Sequence, residues 1–475
     1  MVIQRDKYLN DLVIRMNNGA IKVITGIRRC GKTYLVFDLF REHLRESGVP
    51  DGNVIEIALD DEANADLRDA KALNEHLRAR IGDDGTYYVL LDEVQYAITN
   101  RELRDPDNPP VLYGVLSGLL HRGNVDVYVT GSNSKMLSKD VLTEFRGRGD
   151  EVHVMPLSFS EFMQVFDGDR YEGWAEYVMF GGLPALRAMS TDEQKMRYLT
   201  NLFSEVYLKD VIARNEIEKS RELDDLITVL ASSIGSLTNP SKIEATFKSV
   251  LHSRLDDETI SKYIEYLKDA FIVSEAFRYD IRGRKYIGTP KKYYFEDVGL
   301  RNARLGFRQV EENHLMENVI YNELRARGYA VDVGEVTRRS VVNGKTDRQR
   351  LEVDFVANLG YKRCYIQSAL NLDSDEKREQ ETRSLRLIGD SFKKIVIVNR
   401  VMKPYMDESG ILTIGLFDFL LNPDSLESLC LLLKVDPIHP DGSISSDCRI
   451  RLNEVKWFSM KRPDSYVVVF VDASS

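Results

Sequence analysis

The stretch VITGIRRCGKTYLV, residues 23–36, constrains the fold of this chain more than any other segment. An apolar run that includes Val23 and Ile24 comes first, a loop bounded by Gly26 and Gly31 follows, and a helical pattern comes next. Glycines at the tight points of such a loop let consecutive backbone N–H groups converge on an anion at the start of a helix. The segment therefore predicts a phosphate-binding loop, with a plain turn between a strand and a helix as the alternative.

The loop matches the pattern G-x-x-x-x-G-K-[ST] in its strand–loop–helix setting. Lys32 would supply a mobile positive charge for the outer phosphates of a nucleotide. Thr33 would offer its hydroxyl to the Mg²⁺ that accompanies those phosphates. The pattern thus predicts a bound nucleoside triphosphate with magnesium.

A second segment, YYVLLDEVQ at residues 87–95, supplies carboxylates for such a site. Its apolar run is typical of a strand covered on both faces, and it ends in Asp92 and Glu93, at the edge where doubly wound sheets bind ligands. Asp92 is expected to hold magnesium through water, and Glu93 to act on the attacking water as a general base. The alternative is a solvated acidic turn after a buried strand.

Two further strand patterns, at residues 53–59 and 125–133, alternate with helical stretches and predict a doubly wound α/β domain. Ser132 and Asn133 follow the second of them, where they could sense the terminal phosphate or form an ordinary turn. Arg146 and Arg148 flank a glycine further on. They are candidates for an arginine finger that acts in their own subunit or in a neighbouring one, or else belong to a solvated basic turn.

Length and composition limit the possible classes of protein. A chain of 475 residues is expected to form two or three domains, and its net charge of −10 argues against a uniformly basic, nucleic-acid-coating surface but leaves room for a local basic patch. The four cysteines are scattered without metal-ligand spacing. No apolar run approaches the length that crosses a membrane, so we expect a cytoplasmic protein without a membrane partner.

Five collinear segments, GIRRCGKT, LLDEVQ, VTGSNSKML, GRGDEVHVMPLSFSEF and FGGLPALRAM, resemble the prokaryotic AAA-type ATPases related to the archaeal ATPase group. The resemblance covers roughly residues 1–420 and implies ATP as the nucleotide. It also implies that Arg28 and Arg29 are the paired arginines of the loop, which raise the positive potential around the phosphates. The expected nucleotide-contacting residues are Gly26, Arg28, Arg29, Gly31, Lys32, Thr33, Ser132 and Asn133.

The expected architecture is a P-loop NTPase parallel sheet with a helical lid, a winged-helix-like segment and an α/β restriction-endonuclease-like domain. The ATPase core would comprise residues 1–158, the lid 159–222 and the winged helix 223–299. A winged helix serves on DNA or as a protein adaptor. Basic side chains here favour phosphate contact, whereas the acids on its second helix oppose it. The basic or hydroxyl-bearing candidates are Ser261, Lys262, Arg282, Arg284, Lys285, Lys291 and Lys292.

Residues 300–422 resemble the PD-(D/E)xK nuclease fold, and residues 423–475 suggest a terminal β-hairpin. Glu317 on a helix, Asp354 on a strand and Gln367 on the next strand form a possible second metal site. The lysine that such nucleases need is replaced by Ala369, which argues against cleavage of DNA. Lys377 could reach the site only if its helix packs across the strand edge.

Three functions follow from these expectations. The first is a magnesium-dependent ATPase that couples nucleotide binding and hydrolysis to contact with double-stranded DNA or a protein partner through its C-terminal domains. The second is a nucleotide-gated binding switch with little hydrolysis. The third is an ATP-gated DNA endonuclease. An arginine finger used between subunits would require an oligomer, whereas one used within the chain would not.

Overall fold

The computed structural model describes residues 2–99, 101–102, 105, 108–132, 149–251, 255–342 and 345–426, with the backbone alone at 251, 339–342 and 345–347. The predicted site residues Asn133, Arg146 and Arg148 lie outside these ranges, as does the predicted hairpin after residue 426. The chain divides into one compact unit from Met1 to Leu421 and a second from Asn422 onward. The described part of the second unit is residues 422–426, which include the 3-10 helix Pro423–Leu426.

A five-stranded parallel sheet forms the first part of the chain, as predicted. Its strands lie in the order β2-β3-β4-β1-β5, and every neighbouring pair is parallel. The carboxyl ends of β1, β3 and β4 therefore meet at one edge, because these strands are neighbours. The strands are β1 (Ile21–Thr25), β2 (Val54–Ala58), β3 (Tyr87–Asp92), β4 (Val125–Thr130) and β5 (Gly149–His153).

Helices cover both faces of this sheet, which explains why β1 is buried along its whole length. The helix after β1 begins as a π-helix, Tyr34–Phe40, and continues as α2. The α-helices are α1 (Asp6–Ile14), α2 (Arg41–Glu46), α3 (Ala70–Arg80) and α4 (Val111–Leu120). Short 3-10 helices lie at Asp51–Asn53, Glu62–Arg68 and Val94–Ala97.

The next hundred residues are mostly helical, as the sequence predicts for 159–218. Ser158 and Glu161 form a capping box, and Asp256 accepts the N–H of Thr259 at the start of its helix. The helices are α5 (Phe159–Met163), α6 (Arg170–Phe180), α7 (Asp192–Asn201), α8 (Lys209–Asn215), α9 (Ser220–Ser232), α10 (Pro240–Thr246) and α11 (Asp257–Asp269). A 3-10 helix spans Pro184–Ala188, and π-helices span Leu202–Leu208 and Phe247–Leu251.

An eight-stranded mixed sheet in the order β12-β13-β11-β10-β9-β8-β6-β7 forms the rest of the first unit. Its strands are β6 (Val273–Asp280), β7 (Lys285–Phe295), β8 (Ala330–Val342), β9 (Lys345–Leu359), β10 (Lys362–Ala369), β11 (Lys393–Val398), β12 (Tyr405–Met406) and β13 (Ile411–Gly415). Helices α12 (Val298–Arg304), α13 (Glu312–Ala326), α14 (Asp375–Arg386) and α15 (Leu416–Leu421) accompany it.

The hairpin β6–β7, predicted as the wing of a separate domain, belongs to this larger sheet. Strand β6 pairs with β7 on one side and with β8, in parallel, on the other. The sheet is thus continuous across the predicted boundary between residues 299 and 300, and the division into domains there stays a prediction. Among the described helices, none is both long enough and apolar enough to cross a bilayer.

One apolar core joins the first sheet to the helices that follow it. The same cluster of buried side chains includes Leu12 on α1, Ile24 on β1, Phe203, Leu230 on α9 and Phe295 on β7. A second cluster covers the other face of the parallel sheet, and a third lies in the eight-stranded sheet. The helical segment therefore packs on the parallel sheet through continuous apolar contact.

A buried arginine at the start of α1 connects three distant segments. Arg5 donates to the carbonyl of Cys30 at 2.9 Å, to the carbonyl of Met155 at 2.8 Å and to both carboxylate oxygens of Glu161 at 3.1 Å. Because these partners belong to the glycine-bounded loop, the segment after β5 and α5, the guanidinium sets the distance between them. Only 1% of its side-chain surface is exposed.

We expect the substitution Arg5→Met to lower the free energy of unfolding by about 3–5 kcal/mol, because Glu161 would keep a buried charge without its partner. The matched control is Arg41→Met, since Arg41 pairs with Glu56 at 3.2 Å but is 53% exposed, and we expect it to cost less than about 1 kcal/mol. Urea denaturation of both variants measures the difference. Equal losses would contradict the role of the buried guanidinium.

Candidate active site

The loop between β1 and the following helix approaches the neighbouring backbone too closely for a side chain at its first glycine. Gly26 has φ 144°, and a Cβ there would lie 2.2 Å from the carbonyl oxygen of Val154. Gly31 has φ 99°, and Arg29 takes the left-handed region at φ 63°. Non-glycine residues adopt that region at a cost, and such strain is concentrated at functional sites. The loop conformation therefore depends on the two predicted glycines.

Lys32 is buried and directs its ammonium across the loop. The Nζ atom donates to the carbonyl of Gly26 at 3.1 Å and to that of Ile27 at 3.2 Å, and it lies 3.9 Å from a carboxylate oxygen of Glu93. Its main partners are thus neutral carbonyl groups. A phosphate group could replace these carbonyls as the acceptor, because a charge-assisted hydrogen bond is stronger than one to a neutral group.

Asp92 joins the loop to the neighbouring strands of the sheet. One carboxylate oxygen accepts the hydroxyl of Thr33 at 2.7 Å, and the other accepts the hydroxyl of Thr130 at the end of β4. Burial raises the pKa of Asp92, and the two hydroxyl donors oppose that shift. Carboxylate and hydroxyl oxygens are ligands that Mg²⁺ accepts. Asp92 and Thr33 therefore lie together as the prediction of a magnesium site requires.

Glu93 is held in a strained backbone conformation beside the loop. Its φ is 51°, in the left-handed region, and its N–H donates to the hydroxyl of Thr130 at 3.0 Å. One carboxylate oxygen accepts the side-chain amide of Gln95 and lies 3.5 Å from the hydroxyl oxygen of Ser132. The predicted residues Glu93 and Ser132 are thus brought together at the edge shared by β3 and β4.

The two arginines of the loop have different environments. Arg28 donates to the hydroxyl of Ser132 at 3.2 Å and lies 3.3 Å from a carboxylate oxygen of Asp210 on α8. Arg29 instead donates to the hydroxyl of Tyr198 on α7 at 3.4 Å. Arg28 is therefore the loop arginine that faces the edge of the sheet where the parallel strands end. The sequence alone does not show which of the two arginines does so.

Several residues of this site are missing from the sequence prediction. Asp210 pairs with Arg214 at 2.9 Å as well as with Arg28, and Tyr207 donates its hydroxyl to the carbonyl of Arg28 at 2.7 Å. Burial lowers the pKa of Arg214, and Asp210 opposes that shift. The segment VYLKDVIAR offers one signal, because its acid and arginine stand four residues apart on a helix. For Thr130 the only signal in the sequence is its position at the end of a predicted strand.

Together these residues fit a nucleoside triphosphate and its divalent cation. The glycine-bounded loop is shaped by a close approach to Val154, a buried ammonium faces it, and the hydroxyl of Thr33 meets the carboxylate of Asp92. The two arginines of the loop give it a positive potential suited to phosphates. The ammonium and the loop are therefore complementary to an anion, and the oxygens of Thr33 and Asp92 are complementary to a hard cation.

The predicted second metal site contains a lysine. Glu317 accepts the ammonium of Lys292 at 2.8 Å and the hydroxyl of Tyr294 at 2.6 Å, and Lys292 also pairs with Glu352 at 2.6 Å. Burial alone would lower the pKa of Lys292, but the carboxylates of Glu317, Asp354 and Glu352 raise it. A protein ammonium therefore neutralises the carboxylates that were predicted to bind a metal.

Asp354 and Gln367 bind each other at this second site. The Gln367 amide donates to Asp354 at 3.0 Å, and the Ser368 N–H donates to its other oxygen at 2.7 Å. Burial and then Glu317 raise the pKa of Asp354 to about 7. Lys377 pairs with Glu381 on its own helix at 2.8 Å. Within the described ranges no group of three or more histidine, cysteine, aspartate or glutamate side chains could hold a metal ion.

The basic residues of the predicted wing are only partly free for phosphates. Lys292 is buried, which makes its prediction as a phosphate contact wrong, and Lys291 pairs with Glu275 at 2.9 Å. Arg282 donates to the carbonyls of Thr337 and Leu387, which ties β8 to the end of α14. The exposed members include Arg284 and Lys285 at the turn of the hairpin.

Family models match two adjacent parts of the chain. One is described as an AAA domain and matches residues 18–163, and the other is a domain of unknown function, DUF8612, that matches residues 171–311. The Walker-type ATPase PABY2304 of Pyrococcus abyssi is a solved structure with 17% identity and a TM-score of 0.47, covering 64% of this chain and 96% of its own. The AAA match, the parallel sheet and the glycine-bounded loop indicate a P-loop domain of the AAA class at residues 18–163.

Two relatives match most of the chain. An uncharacterized protein of Haemophilus influenzae is 30% identical over 426 residues, which are 88% of this chain and 99% of the relative. The uncharacterized protein MJ1544 of Methanocaldococcus jannaschii is 26% identical over 424 residues, 86% of this chain and 87% of the relative. The chain belongs to the family of the Haemophilus influenzae protein.

We expect Asp354→Asn to change how stability depends on pH. The folded pKa of about 7 lies above the ordinary value of 3.8, so the contribution of Asp354 is fully present below pH 4 and is lost as pH rises through 7. The asparagine variant does not titrate, so it should gain stability relative to wild type between these pH values, by on the order of 4 kcal/mol at most. Urea denaturation at pH 5 and pH 8 measures the gain.

The matched control for this experiment is Asp83→Asn, because the side chain of Asp83 is fully exposed. Its stability difference from wild type should stay constant over the same pH range. A constant difference for Asp354→Asn as well would show that the carboxyl group of Asp354 is already ionised at pH 5 in the folded protein.

Proposed function

We propose that this chain is a magnesium-dependent ATPase that uses nucleotide binding and hydrolysis to control contact between its C-terminal region and DNA or a protein partner. The arrangement of Glu93 carries this proposal. Its carboxylate lies 3.9 Å from the ammonium of Lys32 and 3.5 Å from the hydroxyl of Ser132, beside the hydroxyl–carboxylate pair of Thr33 and Asp92. A phosphate-binding loop with a positioned base is what hydrolysis requires and simple binding does not.

The residues of the loop would bind and orient the phosphates of ATP. Lys32 would exchange the carbonyls of Gly26 and Ile27 for phosphate oxygens, and backbone N–H groups of the loop would donate to the same anion. Thr33 and Asp92 would hold Mg²⁺, which neutralises charge on the phosphates when it is bound. Because the loop is already fixed by its glycines, little rearrangement is needed.

Glu93 would take a proton from the attacking water as a general base. Thr130 holds the backbone of Glu93, and the amide of Gln95 and the hydroxyl of Ser132 lie at one oxygen of its carboxylate. The other carboxylate oxygen faces Lys32. A base that is fixed through both its backbone and its side chain can hold the reacting water in one orientation.

Contacts of Arg28 supply a route from this site to the helical segment. Arg28 bonds to Ser132, which is near Glu93, and also to Asp210 on α8. A terminal phosphate would compete with Asp210 for this guanidinium, so a change of nucleotide would change the contacts of α8. This is the observation that supports coupling between the nucleotide and the helical segment that precedes the C-terminal region.

A nucleotide-gated switch with little hydrolysis is the second candidate. The side-chain amide of Gln95 bonds to Glu93, and a base engaged in this way is less available to water. Endonuclease activity is disfavoured, because Lys292 pairs with Glu317 where a metal ion would need free carboxylate oxygens. Use of Arg146 or Arg148 as an arginine finger, and an oligomer that would accompany it, stay predictions.

We expect Glu93→Gln to keep ATP binding and lose turnover by about 100- to 10,000-fold, since removal of a general base has effects of that size. Lys32→Ala should weaken ATP binding itself. Phosphate release with magnesium measures turnover, and equilibrium binding of a fluorescent ATP analogue measures affinity. The control is Glu42→Gln on α2, which lies on the exposed face of its helix and should change neither quantity. Normal turnover in Glu93→Gln would contradict the role of Glu93 as the general base. Tight ATP binding without phosphate release in the wild type would contradict the ATPase and favour the switch.

A further inference from the structure

A two-stranded ribbon extends from the eight-stranded sheet beyond its neighbours. The pairing of β6 with β8 ends at Glu335, and the pairing of β10 with β9 ends at Phe355. The ladder between β8 and β9 continues for seven more residue pairs, from Val336 opposite Leu351 to Val342 opposite Lys345. At about 3.3 Å per residue, this ribbon is roughly 23 Å long. It has no further strand of the described chain on either side.

The charge of the ribbon is opposite to that of the whole chain. Its residues between Thr337 and Arg350 include a single acid, Asp347, in a chain of net charge −10. Basic residues outnumber it by five to one, and they are Arg338, Arg339, Lys345, Arg348 and Arg350. A local concentration of positive charge of this kind is the electrostatic signature of a surface that binds polyanions.

The described arginines of the ribbon reach solvent. Arg338 and Arg348 are exposed, and Arg350 is 70% exposed even though it lies 3.7 Å from Glu335. The ribbon therefore keeps its cations where an external anion can bind them.

The base of the ribbon is fixed to the rest of the domain. Arg383 on α14 donates to the side chain of Gln349 at 3.2 Å, and Arg282 donates to the carbonyl of Thr337 at 3.1 Å. These contacts hold one residue in each strand of the ribbon. A projecting ribbon that is anchored in this way can present its arginines without first becoming ordered, which lowers the entropic cost of binding.

We propose that the β8–β9 ribbon binds double-stranded DNA, with its arginines on the phosphates that line the major groove. A two-stranded β-ribbon fits the major groove of B-form DNA, which is about 12 Å wide, whereas the major groove of duplex RNA is too narrow. The inference deepens the proposed function and rests on it only for the coupling to ATP. It replaces the predicted wing, much of whose basic charge is used within the protein, as the DNA contact.

The test compares the full-length chain with the variant R338Q/R348Q/R350Q and with the control variant R45Q/K71Q/R80Q. The control removes the same charge from exposed positions on and near α2 and α3. Fluorescence anisotropy of a labelled DNA duplex, without nucleotide, measures binding over a series of salt concentrations. The ribbon variant should bind about tenfold or more weakly, and the slope of log K against log[salt] should fall by about 2–3. The control should bind like wild type.

Absence of duplex binding by wild type at low salt, or an equal loss in both variants, would overturn the proposal. Equal affinity for a DNA and an RNA duplex would contradict binding in the major groove. Phosphate release from ATP without DNA is measured in parallel and should be unchanged in the ribbon variant. A wild type that binds DNA through the ribbon but does not turn over ATP would refute the ATPase alone, so the two failures are distinguishable.

Discussion

The hydrogen bonds of the Arg5 guanidinium determine how the phosphate loop sits in this protein. They connect Cys30, inside the loop, to Met155 and Glu161, which follow the last strand of the parallel sheet. The backbone at Val154 then approaches Gly26 so closely that only glycine fits. The loop is thus shaped from outside, by the side chain of Arg5 and the backbone at Val154. Such preorganisation reduces the free energy that ligand binding would otherwise spend on ordering the loop.

Two buried lysines show how their partners decide what an ammonium group can do. Lys32 bonds mainly to backbone carbonyls, which are weak competitors for a phosphate. Lys292 bonds to Glu317 and Glu352, and a ligand would have to separate buried ion pairs to reach it. The ammonium of Lys32 can therefore exchange its carbonyl partners for an anionic ligand. The ion pairs of Lys292 instead hold β7 to α13 and β9. The same residue type therefore faces replaceable carbonyl partners in one sheet and joins three elements through ion pairs in the other.

The phosphate loop, Asp92 and Glu93 could be predicted because each depends on a few adjacent residues. Thr130, Asp210 and Lys292 could not, since the order of the strands and the packing of α8 bring them to their sites from far along the chain. The wing was predicted as a separate module because its helices and hairpin follow each other in sequence. The parallel pairing of β6 with β8, which extends the sheet, joins segments separated by more than fifty residues. The sequence pattern around β6 carries no information about a partner strand so far along the chain.

The apolar core that runs without a break from α1 to α12 limits the motions available to this protein. A hinge between the parallel sheet and the helical segment would expose side chains such as Phe203 and Leu230 to water, at a cost that grows with the area uncovered. Sliding of packed helices by a small distance keeps that area covered. A signal from the nucleotide would therefore travel as a shear of α8 and α9 against the sheet, with displacements of a side chain's width and no opening of a cleft.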